Sequence, residues 1–254
     1  MQYKLLKTGY FYADGGAMFG AIPKRAWMRK YPSEADNCCR LAMNCLLAWN
    51  ERRVVVLDTG VGIRELGKLS YYRFHDTQDI AMLVQAQGFE PDEVSDVVLS
   101  HLHFDHCGGC TYRDASGALC PTFPKARHWV SVQQWHNYLH PHPLERDSYR
   151  ADDMLPVADA GLLHLIDATT AIDDDLRLEL YDGHTAGQIV SHIKTDNISL
   201  VFAGDVIPTR AHVSNEWISA YDTHPTAAYD AKKRLKAQLS SSAQLCFYHD
   251  AFNV

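Results

Sequence analysis

Short runs of β-branched and aromatic residues recur along the chain, separated by turn-forming clusters. The runs at 3–13, 41–49, 53–58, 94–100, 128–131, 162–167, 176–181, 189–194, 199–203 and 245–248 read as strands. Between them the period lengthens to that of a helix. Residues 77–88 place Ile80, Leu83 and Val84 on one face and stop at Gly88. Residues 130–139 are aromatic and amphipathic, and Pro141 and Pro143 halt them. Residues 226–239 open after Pro225 and set Ala228, Leu235 and Leu239 opposite Lys232, Lys233 and Lys236. About ten strands punctuated by helices predict a layered α/β protein. The stretch 137–156 is polar, proline-punctuated and weakly periodic, and reads as a lid or connector. With no low-complexity tract, long linker or repeat, one domain over residues 1–254 is the simplest organisation.

Composition narrows the function classes. A chain of 254 residues can bury a sizeable core without staples. A net charge of -7 leaves no electrostatic footprint for nucleic acid or anionic lipid, so the expected partner is a small-molecule substrate. No apolar run is long enough to span a membrane, and the N-terminus lacks the basic start and apolar stretch of a secretory leader. The seven cysteines are odd in number and the chain is not small, so a reducing cytoplasm is expected rather than a disulfide framework. A homodimer is the default expectation for assembly. Histidine, with fourteen copies, is the outlier.

Its placement carries the chemistry. Directly after the apolar run at 94–100 comes His101-Leu102-His103-Phe104-Asp105-His106, followed by Cys107-Gly108-Gly109. An extended chain points His101, His103 and Asp105 to the same side, and a glycine-rich turn lets His106 bend in beside them. Four N and O donors within six residues suit a pair of divalent cations, zinc first, with iron or manganese as alternatives. The bland alternative is a polar loop that happens to be histidine-rich. Two metals need further donors, and three more sit just past apolar strands: His184 in Asp182-Gly183-His184-Thr185, Asp205 in Ala203-Gly204-Asp205, and His249 in Tyr248-His249-Asp250. Together these make five His and two Asp, enough for two sites that share one carboxylate. Two metals about 3.5–4 Å apart can share one water and lower its pKa toward neutrality. No Gly-x-Ser-x-Gly nucleophile elbow is present.

These motifs resemble the metallo-β-lactamase superfamily. His101 to His106 matches its H-x-H-x-D-H hallmark, Gly183-His184-Thr185 its G-H-T element, Asp205 its bridging carboxylate, His249 its last histidine, and Asp58-Thr59-Gly60 its early D-T-G turn. The resemblance implies an α/β four-layer αββα sandwich with two mixed β-sheets and the metals at one edge between them. It implies one metal on His101, His103 and His184, a second on Asp105, His106 and His249, and Asp205 bridging them. A metal-bridging hydroxide would attack the substrate, with Asp105 passing a proton to the leaving group. Asp58 is either the carboxylate that fixes a ligand imidazole or a plain turn residue.

Within the superfamily the chain is most similar to the N-acyl-homoserine lactonases and the methyl parathion hydrolase group. That implies a lactone, ester or phosphotriester substrate. Flavodiiron proteins carry Glu where His103 stands, and ribonuclease Z needs positive surface. A glyoxalase II-like thioester hydrolase and a mononuclear iron persulfide dioxygenase remain as alternatives, and a non-catalytic metal-binding protein on the same scaffold is the alternative of another class. There are departures. The lactonases' tyrosine three residues past the bridging Asp is Pro208 here, which leaves His212 and Tyr12 as candidate donors to the substrate oxygen. The superfamily's frequent second histidine after the G-H-T element is Gln188, expected to hydrogen-bond backbone. Residues 14–20 read as a flexible apolar loop over the pocket, a hairpin tip or a subunit contact, with Trp27 close behind. Trp135, Tyr138 and Leu139 read as an opposite lid or as ordinary helix packing. Cys107 and Cys110 form a lone C-x-x-C, with Cys107 expected to pack under the site.

Overall fold

Strands whose apolar residues fall on both faces need cover on both sides. The computed structural model, which describes residues 1–64 and 66–252, supplies it. The chain begins with β1 (Gln2–Asp14), α1 (Gly15–Phe19), α2 (Lys24–Trp27), β2 (Cys38–Trp49), β3 (Val54–Leu57), α3 (Ile80–Gln85) and β4 (Asp96–Val98). It continues through α4 (Phe104–Cys107), β5 (Thr111–Arg113), β6 (Leu119–Pro121), β7 (Arg127–Ser131), α5 (Val132–Leu139) and α6 (Ala151–Asp159). Then follow β8 (Leu163–Ile166), β9 (Thr170–Ala171), β10 (Leu176–Tyr181), β11 (Gln188–Lys194), β12 (Ser199–Phe202), α7 (Pro225–Gln238) and β13 (Ala243–Cys246).

A six-stranded sheet runs in the order β1-β2-β3-β4-β7-β8, and a five-stranded sheet in the order β13-β12-β11-β10-β9. Both are mixed. In the first, β1, β2 and β3 pair antiparallel while β3, β4, β7 and β8 pair parallel. In the second, only the β12–β13 pair is parallel. The sheets share a core to which the first contributes Leu46, Leu57 and Val98 and the second Leu178, Ile193 and Phe202. The period of two sorts each strand between this core and a helix outside it. On β12, Leu200 and Phe202 face the shared core, while Val201 packs with Ala231 and Leu235 of α7. On the other side α3 lies against β1, and α5 against β7 and β8. The expected helix–sheet–sheet–helix layering results.

Three elements differ from the sequence reading. Residues 14–20 are not a flexible loop: Asp14 caps α1 by accepting from Ala17 N at 3.0 Å, and Phe19 is buried, stacked on Trp27 at 5.0 Å. The stretch 137–156 hides α6, whose signal Pro156 masks. Proline has no N–H to give to the carbonyl of residue 152, and Thr111 Oγ1 donates to Asp152 O instead, at 2.8 Å. Lys232 is not on a solvated face. It is 2% exposed and its ammonium donates to Trp217 O, because the connection that runs beside α7 offers carbonyls to long lysine stems. The short β5–β6 hairpin and β9 had no periodic run to announce them.

The core holds one imidazole in a costly place. His128 on β7 is fully buried; Nδ1–H donates to Ala126 O at 3.0 Å and Nε2 has no partner among the described residues. Burial pushes its pKa down to about 4. The folded chain therefore keeps His128 neutral, while the unfolded chain takes up a proton near 6.5. Stability that is complete above pH 6.5 is lost as pH falls toward 4, by about 3 kcal/mol from this residue. Urea midpoints measured at pH 7 and pH 4.5 should drop less for His128→Asn than for the parent chain; equal drops would show that His128 does not carry the acid sensitivity.

Candidate metal centre

All the chemistry-bearing segments leave the same edge of the sandwich. β3 runs into Asp58 and the parallel β4 into Ser100 and His101. β10, β12 and β13 run in one direction and end just before His184, Asp205 and His249. Two glycines make the turns possible. Gly183 has φ +140°, and a Cβ there would stand 2.4 Å from Ala228 Cα at the start of α7. Gly204 has φ +50° and would meet Ser100 Cβ at 2.8 Å. Each lets the next residue, His184 or Asp205, turn back over the strand ends. The motif itself is extended only through His103. At Phe104 it turns into α4, so Asp105 leaves the line of His101 and His103 and faces His106 and His249 instead.

Five buried imidazoles point one nitrogen each into this edge, and the other nitrogen decides what the first can do. His106 Nδ1 lies 2.8 Å from Asp58 Oδ2, His184 Nδ1 3.0 Å from Asp222 Oδ1, and His249 Nδ1 2.8 Å from Ala42 O. His103 Nε2 lies 3.4 Å from Glu145 Oε2. Each of those oxygens only accepts, so each of those nitrogens carries the hydrogen. Ser100 Oγ donates to Asp58 Oδ2 at 2.7 Å and thus accepts from His101 Nδ1 at 3.0 Å. Every imidazole is left with a bare lone pair on its inward nitrogen.

Those lone pairs converge. His103 Nδ1 is 3.1 Å from His101 Nε2 and 3.2 Å from His184 Nε2, and His106 Nε2 is 3.3 Å from His249 Nε2. In the neutral rings these inward nitrogens hold no proton, and lone pairs this close fit a shared cation. The donors gather as His101, His103 and His184; as Asp105, His106 and His249; and as His101, His106 and Asp205. Asp205 stands between the first two groups. Its Oδ2 is 3.4 Å from His184 Nε2, while its Oδ1 is 3.3 Å from His249 Nε2 and 3.5 Å from His106 Nε2. Asp205 Oδ1 is buried and receives no hydrogen bond. That too is the signature of an oxygen shaped for a cation.

The carboxylates around the site favour positive charge, which a second proton on His106 supplies in the metal-free chain and a bound cation would replace. Burial opposes charge on His106, but Asp205, Asp105 and Asp58 outweigh it and hold its pKa well above the usual imidazole value. Burial and the neighbouring His106 hold His101 well below it. Burial also opposes charge on Asp205, yet His249, His106 and His184 keep its carboxyl well below the ordinary range. Asp58 is no plain turn residue. It is wholly buried at φ +55°, a conformation that Asp tolerates better than most residues, and it accepts from Ser100 N at 2.7 Å as well as from Ser100 Oγ and His106.

The donors open into a cavity of about 220 Å³. Phe11, Leu41, Tyr72 and Phe104 give it an apolar wall, and Glu145, Ser148 and Tyr221 also line it. No Lys or Arg among the described residues lines it. Pro208 does line it, but neither candidate donor does. His212 is buried between Thr209 Oγ1 and Met18 O and stacked on Phe19, and Tyr12 OH donates outward to Glu34. Of the pocket hydroxyls, Ser219 Oγ donates to Ala17 O and Thr223 Oγ1 to His184 O. Tyr72 and Tyr221 have no protein partner for theirs among the described residues. Gln188, expected on backbone, lies against Gly204 with neither amide atom hydrogen-bonded. Tyr138 is buried and stacked on Trp135, which settles that helix as packing rather than lid. Cys107 and Cys110 are free and buried, Cys107 against Leu102 O behind the motif.

Sequence reasoning missed Ser100, Glu145 and Asp222. Ser100 was adjacent to the motif and could have been found as a hydroxyl beside a ligand. Glu145 and Asp222 sit in connections with no periodicity, and only the fold brings them to the imidazoles.

Comparison with known proteins gives a consistent result. The family model described as Metallo-beta-lactamase superfamily matches residues 40–248. An N-acyl homoserine lactonase of Bacillus thuringiensis is 23% identical over 220 residues, which is 81% of this chain and 80% of that one. A probable metal-dependent hydrolase from Staphylococcus aureus superposes with a TM-score of 0.88 at 25% identity, over 98% of this chain and 89% of the other. An N-acyl homoserine lactone hydrolase, solved with N-hexanoyl-L-homoserine bound at its catalytic metal centre, gives a TM-score of 0.77 at 21% identity, over 98% and 93%. At that last identity the likeness speaks for the fold alone.

Asp58 offers a direct test of the lone-pair argument. Asp58→Ala should weaken zinc binding by about 10–100-fold in chelator competition. Asp58→Asn, which tolerates the same backbone and keeps one accepting oxygen, should fall between. Parental zinc affinity in Asp58→Ala would refute the assigned tautomer of His106.

Proposed function

The chain belongs to the metallo-beta-lactamase superfamily and is a metal-dependent hydrolase, and from that premise we propose that it works with two divalent ions, most suitably zinc, on a neutral lactone, ester or phosphotriester. The observation that carries this is the placement of Asp205, one oxygen toward each of two donor groups. His101, His103 and His184 would hold one ion and Asp105, His106 and His249 the other, with Asp205 between them. A single ion would leave one converging set of lone pairs without a partner, which speaks against a mononuclear iron dioxygenase.

The bound ions would supply an activated water at neutral pH and polarise the carbonyl or phosphoryl oxygen of the substrate. The rest falls to the chain. Asp105 Oδ2, 3.6 Å from His249 Nε2 and 3.8 Å from His106 Nε2, borders the pocket and would take up the proton that the attacking water gives up and pass it to the leaving oxygen. Among the pocket hydroxyls without a protein partner, those of Tyr72 and Tyr221 can donate to an oxygen gaining charge in the transition state, in the role left open by Pro208. Carboxylates and the lack of a lining cation support a neutral substrate over an anionic glutathione thioester. The same charges would help expel an acidic product. The apolar wall of Phe11, Leu41 and Phe104 suits an acyl or aryl group. The lactone hydrolases to which the chain is similar make a homoserine lactone the first substrate to try.

Removing metal with a chelator should abolish hydrolysis of homoserine lactones, aryl esters or phosphotriesters, and zinc should restore it. Asp205→Asn should lower kcat/KM by about 100-fold or more. Full activity in metal-free protein would reject the proposal. Tyr221→Phe should cost kcat about 100-fold while KM changes little. If Tyr221→Phe and Tyr72→Phe both keep the parental kcat, the oxygen is held by another group.

A further inference from the structure

Glu145 belongs to no strand end and to no metal group, yet it touches the centre. It lies on the segment 140–150, between α5 and α6. Its Oε2 accepts from His103 Nε2 at 3.4 Å and from Tyr149 OH at 2.9 Å, and its Oε1 from Asn137 Nδ2 at 3.5 Å. Tyr149 packs edge-on against the His103 ring at 5.2 Å and brings its hydroxyl within 3.4 Å of Thr185 Oγ1, beside His184. One imidazole of the three-histidine group is thus buttressed from this segment, which also touches the residue next to a second. The same segment turns Leu144 and Ser148 toward the pocket, and Leu144 is left 79% exposed there, with little burial of its own to hold it down. Near its end the segment is tied by Tyr138 OH donating to Arg150 O; over the pocket it is tied by the Glu145–His103 contact and the Tyr149 hydroxyl.

We propose that Glu145 is a positioning residue that acts through His103, so that retention of the cation by His101, His103 and His184 and closure of the segment 140–150 over the pocket are a single coupled equilibrium. The coupling is electrostatic. A cation on Nδ1 draws charge from the ring and makes Nε2–H a stronger donor to the Glu145 carboxylate. That bond both orients the imidazole and pins the segment. By linkage the effect runs in both directions: the cation tightens the segment, and the pinned segment tightens the cation.

This inference rests on the proposed metal centre, and its test uses no substrate. Zinc affinity is measured by chelator competition for the parent chain, Glu145→Gln and Glu145→Leu, with hydrogen exchange across residues 140–150 followed with and without zinc. Glu145→Leu should weaken one of two bound zinc ions by about 10–100-fold. Glu145→Gln should lie between, because its amide oxygen still accepts from His103. Zinc should slow exchange in 140–150 by about tenfold in the parent chain and not in Glu145→Leu. Thermal melts of the zinc-free proteins check that both variants fold. Parental affinity for both zinc ions in Glu145→Leu, or exchange in the parent chain that ignores zinc, would overturn the coupling. Two tightly bound zinc ions without hydrolysis of any ester would instead overturn the proposed function and leave this inference standing. A parent chain that binds no zinc would overturn both.

Discussion

Five hydrogen bonds on the outer nitrogens of five imidazoles determine the character of this protein. Histidine side chains crowded within about 3 Å would ordinarily share protons or push one another apart. Here each ring has its hydrogen committed outward, to Asp58, Asp222, Glu145, Ser100 or Ala42 O, before it meets its neighbours. In the neutral rings the inward nitrogens are acceptors only, and with the carboxylates among them the centre calls for positive charge, from a proton or from a metal ion. Burial makes this arrangement expensive for the bare chain and correspondingly favourable for anything positive that enters.

The fold exists in a form that makes those commitments possible. Parallel strands in each sheet deliver their carboxyl ends to one edge, and antiparallel neighbours carry the chain away from it. Ligands can then come from residues as far apart as 101 and 249 while their supports come from other parts of the chain. Tyr248, stacked on the His106 ring at 4.0 Å, donates to Asp105 O at 2.6 Å, so even the packing under the site is fixed by hydrogen bonds.

Much of this was legible in the sequence, for physical reasons. Ten of the strand runs were visible because buried strands must be apolar, and every one of them lies on an observed strand. His184, Asp205 and His249 could be singled out because each directly follows such a run, and glycine marks the sharp turns before two of them. The failures are equally specific. Periodicity suggested that Asp105 continues an extended line, but the chain coils at Phe104, and this is what sends Asp105 to the other donor group. Pro156 hid a helix whose missing hydrogen bond is repaired from β5. Lys232 was grouped with the polar face of its helix, yet it stands four residues after Ala228 and three before Leu235 and so shares their buried side. Glu145 and Asp222 left no local trace, since a carboxylate that supports a ligand across the fold needs neither periodicity nor spacing.

The loop bearing Asp222 does not stand alone. Ser219 Oγ and Ala220 N both donate to Ala17 O, and Asp222 Oδ2 accepts from Ser219 N. His184 is therefore tied, through three residues, to the short helix near the beginning of the chain. That helix precedes the span recognised as characteristic of the family, which starts at residue 40. Ancestry and foundation do not coincide here: a trimmed version beginning at residue 40 would inherit every ligand and lose the footing on which one of them rests.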